Sequence, residues 1–373
     1  MSLHNAIRRC RAATGAALAV TMLPGCHLLH HQQAAQAGPK LKHVTLASQM
    51  QPMQPIDLTK FHPNEAGEVP ILEYHNLMPS AKVSDYEYPA AEFRKDMEWL
   101  YAHHYRPINL SDYVQGRIDV PAGMSPVVLT FDDALRGQFN YTSDGKIDPN
   151  CAVGILEDMR AKHPDWALKG TFFVLTDYDP KMPPPFFQKD SAQAKMEHLV
   201  QDGFEIGNHT VHHWSGMRHW QDAKVEAELA GGVAGIHKYL PTYNVQTLAL
   251  PFGIFPKHRK LVIQGESGGV QYHNICALAA GYNPAPSPMA KKINFYHLPR
   301  IIPSDRKIKP GGRFTIRWWL SQMERDKTKF VSDGDPNTYT VSVVAKGDLN
   351  PARLLKNHFH LRTYSGTQLV ASK

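Results

Sequence analysis

Residues 126–133 read Pro-Val-Val-Leu-Thr-Phe-Asp-Asp, so two carboxylates follow a short apolar run rich in β-branched residues. Such a run predicts a buried strand, with Asp132 and Asp133 at its carboxyl end. Adjacent carboxylates repel each other, and removing them from water costs on the order of several kcal/mol unless a cation or strong donors compensate. The pattern therefore favours a bound metal ion beside this strand.

A second stretch, His-Thr-Val-His-His at residues 209–213, contains the further ligands that such an ion needs. His209 and His213 stand four residues apart, which would place both on one face of a helical turn. His212 is the alternative second ligand, although a spacing of four suits one helical face better than three. Asp133 and two histidines would form a three-ligand set with an open position for water, as in catalytic zinc sites.

Thr-Phe-Asp-Asp followed by His-Thr-x-x-His resembles the first two motifs of the polysaccharide deacetylases, carbohydrate esterase family four, which remove acetyl groups from N- or O-acetylated sugars. The resemblance extends over residues 68–326. It implies that Asp133, His209 and His213 hold a divalent metal, with zinc expected first. It also implies that Asp132 is the general base that takes a proton from the attacking water.

The family's third motif carries an arginine that orients the basic aspartate, and residues 249–253 of this chain, Ala-Leu-Pro-Phe-Gly, have none. Pro251 and Phe252 in this segment are expected to contact substrate. Arg300 is the candidate to pair with Asp132 in place of the missing arginine. The family's general acid is a histidine in a late Leu-x-His motif, for which His297 is the nearest candidate.

Two further residues are expected to contact substrate. His75 ends the first predicted strand, with a structural hydrogen-bonding role as the alternative. Trp214 follows the histidine stretch and is expected to stack on a sugar ring.

Apolar runs that predict strands alternate with amphipathic segments that predict helices over about 250 residues. The predicted strands are 69–75, 126–131, 170–175, 204–208, 247–251, 275–280 and 298–302. The predicted helices begin at Pro89 and then cover 150–162, 191–202, 222–240, 256–264 and 313–325. This alternation predicts an α/β fold with a parallel sheet. Polar residues at strand ends and the family resemblance favour a distorted (β/α) barrel of about seven parallel strands, with an N-terminal linker and a C-terminal appendage.

The N-terminus reads as a bacterial export signal over residues 1–25, with three arginines before an apolar run. Leu23-Pro24-Gly25-Cys26 resembles a lipobox, so Cys26 is expected to be lipidated; an ordinary secretory signal cleaved near residues 34–37 is the alternative. Residues 26–67 are expected to form a flexible linker, 68–326 the barrel domain and 327–373 a C-terminal extension. The expected location is the periplasm or the outer membrane, with membrane contact only through the lipid anchor.

The 373 residues carry a net charge of +7, three units of which lie in the expected signal, and this mild balance does not indicate a nucleic-acid partner. Cys151 and Cys276 would remain in the mature domain, either as a disulfide or as two buried thiols. The expected partners are an acetylated polysaccharide and envelope proteins for glycan export.

Three functions remain open at this point. The first is a metal-dependent N-deacetylase acting on a poly-N-acetylglucosamine-like exopolysaccharide or peptidoglycan. The second is an O-acetyl esterase acting on xylan-like glycans. The third is an inactive carbohydrate-binding protein on a deacetylase scaffold. It is considered because residues 249–253 lack the arginine of the family's third motif.

Overall fold

A computed structural model describes residues 52–80, 84, 86–281, 283–303 and 315–370. The expected export signal, Cys26 and the linker up to residue 51 lie outside the described residues, so these remain predictions. Across the described ranges, no helix combines the length and the apolar character that crossing a membrane requires.

The described chain alternates strands and helices as the sequence predicts. Its α-helices are α1 (Ala90–Ala102), α2 (Leu110–Gln115), α3 (Ala152–Lys162), α4 (Ala192–Asp202), α5 (Asp222–Tyr239), α6 (Ile316–Arg325) and α7 (Pro351–Lys356). Its strands are β1 (Ile71–Tyr74), β2 (Asn76–Met78), β3 (Glu87–Pro89), β4 (Tyr105–Ile108), β5 (Ser125–Asp132), β6 (Thr171–Val174), β7 (Glu205–Asn208), β8 (Thr247–Ala249), β9 (Gln264–Ser267), β10 (Val270–His273), β11 (Cys276–Leu278), β12 (Thr338–Ser342), β13 (His360–Ser365) and β14 (Gln368–Val370).

The central sheet has seven strands in the order β1-β5-β6-β7-β8-β11, with β4 paired to the first half of β5. Every pair in it is parallel. All eight residues of β5 are buried, which explains its near-continuous apolar sequence. Because the strands run the same way, their carboxyl ends lie at one rim of the sheet. The predicted α/β fold, a curled parallel sheet of the (β/α) barrel type, is confirmed.

The predicted strand at 298–302 exists only as two isolated bridges. Leu298 pairs with Leu278 of β11, and Ile301 pairs with Leu72 of β1. Pro299 lies between these two points and has no N–H to donate, which prevents a continuous ladder. The segment nevertheless links the last strand of the sheet to the first, and it carries Arg300 into the interior.

One local prediction is wrong, and one strand was missed. The helix expected at 256–264 is a short 3₁₀ turn followed by the hairpin β9–β10, in which Gly268 and Gly269 both have positive φ (59° and 79°), as a two-residue hairpin turn requires. Strand β4 was not predicted, because Arg106 and Pro107 interrupt its apolar pattern. Proline is tolerated there since β4 pairs on one side only.

Beyond residue 326, β12, β13 and β14 form a separate three-stranded sheet. Tyr339 and Val341 of β12 belong to the same buried apolar cluster as Ile71 of β1 and Val128 of β5. The described part of the C-terminal segment therefore packs against the sheet.

Cys151 and Cys276 are both buried and unpaired, so the structure contains two separate thiols. The Cys151 sulfur accepts a hydrogen bond from the Gly154 N–H at the start of α3, over 3.4 Å.

Candidate metal centre and active site

Three predicted ligands meet at the carboxyl-end rim of the sheet. One carboxylate oxygen of Asp133, Oδ1, lies 3.2 Å from Nε2 of His209 and 3.4 Å from Nε2 of His213. Donor atoms of these three side chains lie within 4.8 Å of one another, as ligands of one metal ion must. Asp132 ends β5, and one of its oxygens is 3.9 Å from the same nitrogen of His209.

The histidines meet through a loop rather than a helical turn. Residues 209–213 have no helical assignment, and Thr210 and His213 have positive φ (69° and 52°), so the expected shared helical face is wrong. Asp133 also has a positive φ of 77°. Positive φ is costly for residues other than glycine and tends to accumulate at functional sites. His212 faces away from Asp133 and contacts Glu228 and Asp179 instead.

The donor atoms fit a divalent metal. Nδ1 of His209 is 2.8 Å from the Ala249 carbonyl oxygen, so this nitrogen carries the proton and Nε2 is left with a lone pair. Nε2 of His209 and Oδ1 of Asp133 are both buried without a hydrogen-bond partner in the described structure. Two acceptors 3.2 Å apart require a proton or a cation between them.

The pKa shifts at the site follow from the same arrangement. Burial would raise the pKa of Asp133, but the adjacent His209, and next His213, outweigh burial and lower that pKa. Burial would lower the pKa of His209, whereas Asp132 and Asp133 raise it. Burial, together with His209, lowers the pKa of His213 to about 4, so this ring is neutral and able to act as a ligand near neutral pH.

Arg300 holds Asp132 in a bidentate pair. Its two terminal nitrogens donate to the two carboxylate oxygens over 2.7 and 2.8 Å, and both side chains are almost completely buried. Its Nε lies 3.1 Å from a carboxylate oxygen of Glu73. Burial would raise the pKa of Asp132, but Arg300 and then His209 outweigh burial and hold this pKa well below its usual value. Asp132 is therefore ionised and fixed in orientation.

A cavity of about 190 Å³ opens beside these residues. Its lining is Glu73, His75, Tyr86, Asp132, His209, His213, Phe252, Gly253, Ala280, Arg300 and Ile302. Donor atoms of Glu73, His75 and Asp132 lie within 4.8 Å of one another, and Nδ1 of His75 is buried without a hydrogen-bond partner in the described chain. Tyr86 and Phe252 are about half exposed at this cavity (54% and 50%).

The remaining predicted residues lie outside the cavity lining. His297 is exposed, and its Nδ1 is 3.4 Å from a guanidinium nitrogen of Arg259. The structure therefore does not bring His297 to Asp132. Trp214 is exposed and stacks on His212, while buried Pro251 opens the turn that presents Phe252 against the His213 ring.

Sequence reasoning missed the roles of Glu73 and Glu228. Glu73 lies in the apolar strand Ile-Leu-Glu-Tyr, the same signal that marked Asp132, and burial raises its pKa. Glu228 interrupts the buried face of α5. In both cases, an acidic residue within an apolar sequence pattern could have indicated a buried carboxylate with a specific partner.

A third group of possible ligands, Glu157, His198 and Asp202, lies between α3 and α4. Nε2 of His198 is 2.9 Å from Glu157 and 3.3 Å from Asp202, so the three side chains already form an ion-paired triad when the ring is protonated. None of them lines the cavity beside Asp132.

Several known proteins are similar to this chain. Residues 119–265 match the family model described as polysaccharide deacetylase. No curated protein matches the sequence. Among solved structures, the deacetylase PplD of Streptococcus pyogenes, in complex with acetate, is 17% identical, with a TM-score of 0.49 over 69% of this chain and 98% of its own.

Two further solved structures are similar at the same level. A polysaccharide deacetylase from Bacillus cereus is 17% identical, with a TM-score of 0.49 over 69% of each chain. IcaB from Ammonifex degensii is 16% identical, with a TM-score of 0.45 over 66% of this chain and 95% of its own.

The match over residues 119–265 includes β5 with Asp132 and Asp133 as well as both histidines that meet Asp133. The segment that matches the family model is thus the segment that carries the candidate metal-binding residues. Residues 119–265 of this chain are therefore similar to the polysaccharide deacetylase family.

Proposed function

We propose that this protein is a metal-dependent hydrolase that removes acetyl groups from an N-acetylated polysaccharide, of the poly-N-acetylglucosamine or peptidoglycan type, by cleaving a non-peptide carbon–nitrogen bond. One observation carries the proposal. Asp133, His209 and His213 converge as a ligand set while the adjacent Asp132 is ionised and fixed by Arg300.

Each residue of the centre has a chemical task in this reaction. Asp133, His209 and His213 would hold the ion, which when bound polarises the acetyl carbonyl and lowers the pKa of water. Asp132 accepts the proton of the water molecule that attacks the acetyl carbon. Arg300 prevents rotation of the Asp132 carboxylate, since it grips both oxygens.

The leaving amine needs a proton when the carbon–nitrogen bond breaks, and the products are then acetate and a free amino sugar. His75 is the cavity histidine outside the ligand set, and it is 8% exposed. We assign it the role of general acid in place of His297, because His297 lies with Arg259 outside the cavity lining.

The dimensions of the cavity support a small acyl group within it and a sugar at its mouth. About 190 Å³ accommodates an acetyl group with part of one ring but not a polymer. The half-exposed rings of Tyr86 and Phe252 border the opening and offer apolar faces to a sugar.

We also propose that the protein works outside the cytoplasm, anchored through Cys26. The support is the Leu-Pro-Gly-Cys sequence that follows an apolar run. Metabolic labelling with a radioactive fatty acid tests this: label is expected in the wild type and lost in Cys26→Ser.

The test of the activity is acetate release from chitooligosaccharides, peptidoglycan and acetylxylan, with and without a chelator. Release from the first two, lost with chelator and restored by zinc, is expected. Release only from acetylxylan would favour the O-acetyl esterase. Binding without release would favour the inactive carbohydrate-binding protein. Activity that survives in Asp132→Asn with zinc bound would exclude Asp132 as the base.

A further inference from the structure

Helix α5 is joined to the loop that carries His209 and His213 by hydrogen bonds of a buried carboxylate. Glu228 of α5 is 5% exposed, and its Oε2 accepts hydrogen bonds from the N–H groups of Val211 and His212, each over 3.1 Å. Its other oxygen lies 2.5 Å from Nδ1 of His212. One buried carboxylate thus contacts three atoms of Val211 and His212, two of the three residues between the cavity histidines.

The same helix holds the start of the loop. Asn208, the last residue of β7, donates to the Leu229 carbonyl of α5 over 2.9 Å and accepts from the Thr210 N–H over 2.8 Å. Gly231 and Gly232 make this approach possible. A Cβ on Gly232 would lie 2.0 Å from Oδ1 of Asn208, and one on Gly231 would lie 2.7 Å from the Val211 side chain.

These contacts fix a backbone that the loop would not adopt alone. Thr210 and His213 both have positive φ, and the hydrogen bonds to Glu228 fall on the two residues between them. Left-handed conformations are energetically unfavourable at residues other than glycine and persist only where the surroundings impose them. The direction of the His213 ring toward Asp133 depends on this backbone.

We propose that Glu228 is a positioning residue that holds the histidine loop in its metal-binding shape, with His212 as its second contact rather than as a ligand. The inference rests on the proposed metal centre. Glu228 does not line the cavity, so it acts through His209 and His213 and not on the substrate. Asp179 supports the arrangement, because its Oδ2 lies 3.0 Å from Nε2 of His212.

The test is zinc affinity of the full chain, measured by competition with a zinc-binding dye. Glu228→Gln is expected to weaken zinc binding by about 10–100-fold, the usual effect of removing a partner behind the ligands. Glu226→Gln is the matched control: it is the same change on the same helix and should leave the affinity unchanged. At saturating zinc, the KM of Glu228→Gln should match that of the wild type, since no substrate contact is lost.

His212→Gln is the second variant, because it keeps both backbone hydrogen bonds to Glu228. It should weaken zinc binding by a smaller factor than Glu228→Gln. The inference is overturned if the wild type binds zinc and both variants bind it equally well. If the wild type itself binds no zinc, the proposed metal centre fails, and the inference fails with it.

Discussion

Asp132 and Asp133 are neighbours in sequence, yet the backbone gives them different environments. Asp132 still belongs to β5, whereas Asp133 turns with a φ of 77°. In a regular strand two successive side chains would point to opposite faces. Here both carboxylates lie within 4 Å of Nε2 of His209, one gripped by Arg300 and the other facing the histidines. The turn at Asp133 therefore lets one motif hold both the proposed base and a proposed metal ligand.

Replacing Arg300 with lysine should separate orientation from charge. Lysine keeps a positive charge beside Asp132 and Glu73 but cannot donate to both oxygens of Asp132 as the guanidinium does. We expect kcat for acetate release to fall by about 100-fold with little change in KM. Arg259→Lys, a change at an exposed arginine, is the control. Equal kcat values for the two variants would show that the bidentate pair is dispensable.

The assignment of the general acid gives a second prediction at the residue scale. His75→Gln should lower kcat by about 100-fold or more, since general acid catalysis contributes on that order. His297→Gln should stay close to wild type, because that ring lies beside Arg259 and Phe255 outside the cavity lining. Steady-state acetate release by both variants decides the point. The opposite ranking would return the role to His297.

The positions of individual site residues could be predicted from sequence where those residues belong to a local motif. The three proposed ligands belong to this class, whereas Arg300 was chosen by its place near a predicted strand end; the structure brings all four residues to one place. His297 was chosen by its position before a late strand, and no local pattern could show that this ring turns to Arg259. Glu73 was overlooked, although a carboxylate in an apolar strand is the same signal that identified Asp132.

At the scale of elements, the long periodic segments were predictable and the short ones were not. Helix α4 ends, as expected, at Gly203, whose φ of 100° closes the helix. The hairpin β9–β10 was missed because its strands are mostly exposed and lack apolar alternation. The barrel closure at 298–301 consists of two bridges, and their pairing depends on contacts distant in sequence.

At one glycine of helix α5, we expect replacement with alanine to destabilise the protein, the opposite of the usual effect. Replacing a helical glycine with alanine ordinarily stabilises a protein by about 1 kcal/mol. At Gly232 the added Cβ would lie 2.0 Å from Oδ1 of Asn208, so we expect Gly232→Ala to lower the free energy of unfolding by about 1–3 kcal/mol. Urea unfolding measures this. Gly347→Ala, with no atom within 4 Å of its Cβ, is the control, and a stabilised Gly232→Ala would disprove the close docking of α5.

On the scale of the whole molecule, a buried charge cluster connects parts of the chain that are far apart in sequence. Glu65 accepts a hydrogen bond from the N–H of Asp333 over 3.3 Å and one from the N–H of Thr340. Nη1 of Arg362 lies 3.2 Å from Oδ2 of Asp333. Burial, and next Asp333, raises the pKa of Glu65 well above its usual value, and burial also raises the pKa of Asp333. The cluster thus holds the residues before β1 against the C-terminal sheet.

Removing the arginine of this cluster should destabilise the protein in a pH-dependent way. Arg362→Met leaves Asp333 buried next to Glu65 without its cation, so we expect a loss of about 3–5 kcal/mol in the free energy of unfolding near neutral pH. Because both carboxyls have raised pKa values in the folded state, folding takes up protons as the pH falls, and the cost of burying them decreases. The loss should therefore be smaller at about pH 5 than at about pH 7.

Urea unfolding of wild type and Arg362→Met at both pH values measures this difference. Arg117→Met is the matched control, since Arg117 is 58% exposed and its pair with Asp112 spans 3.6 Å. An exposed pair of this kind contributes about 0–1 kcal/mol, so its loss should be small at both pH values. A deficit in Arg362→Met that grows as the pH falls would mean that the two carboxyls are ionised and stabilising in the folded protein, contrary to the direction of their pKa shifts.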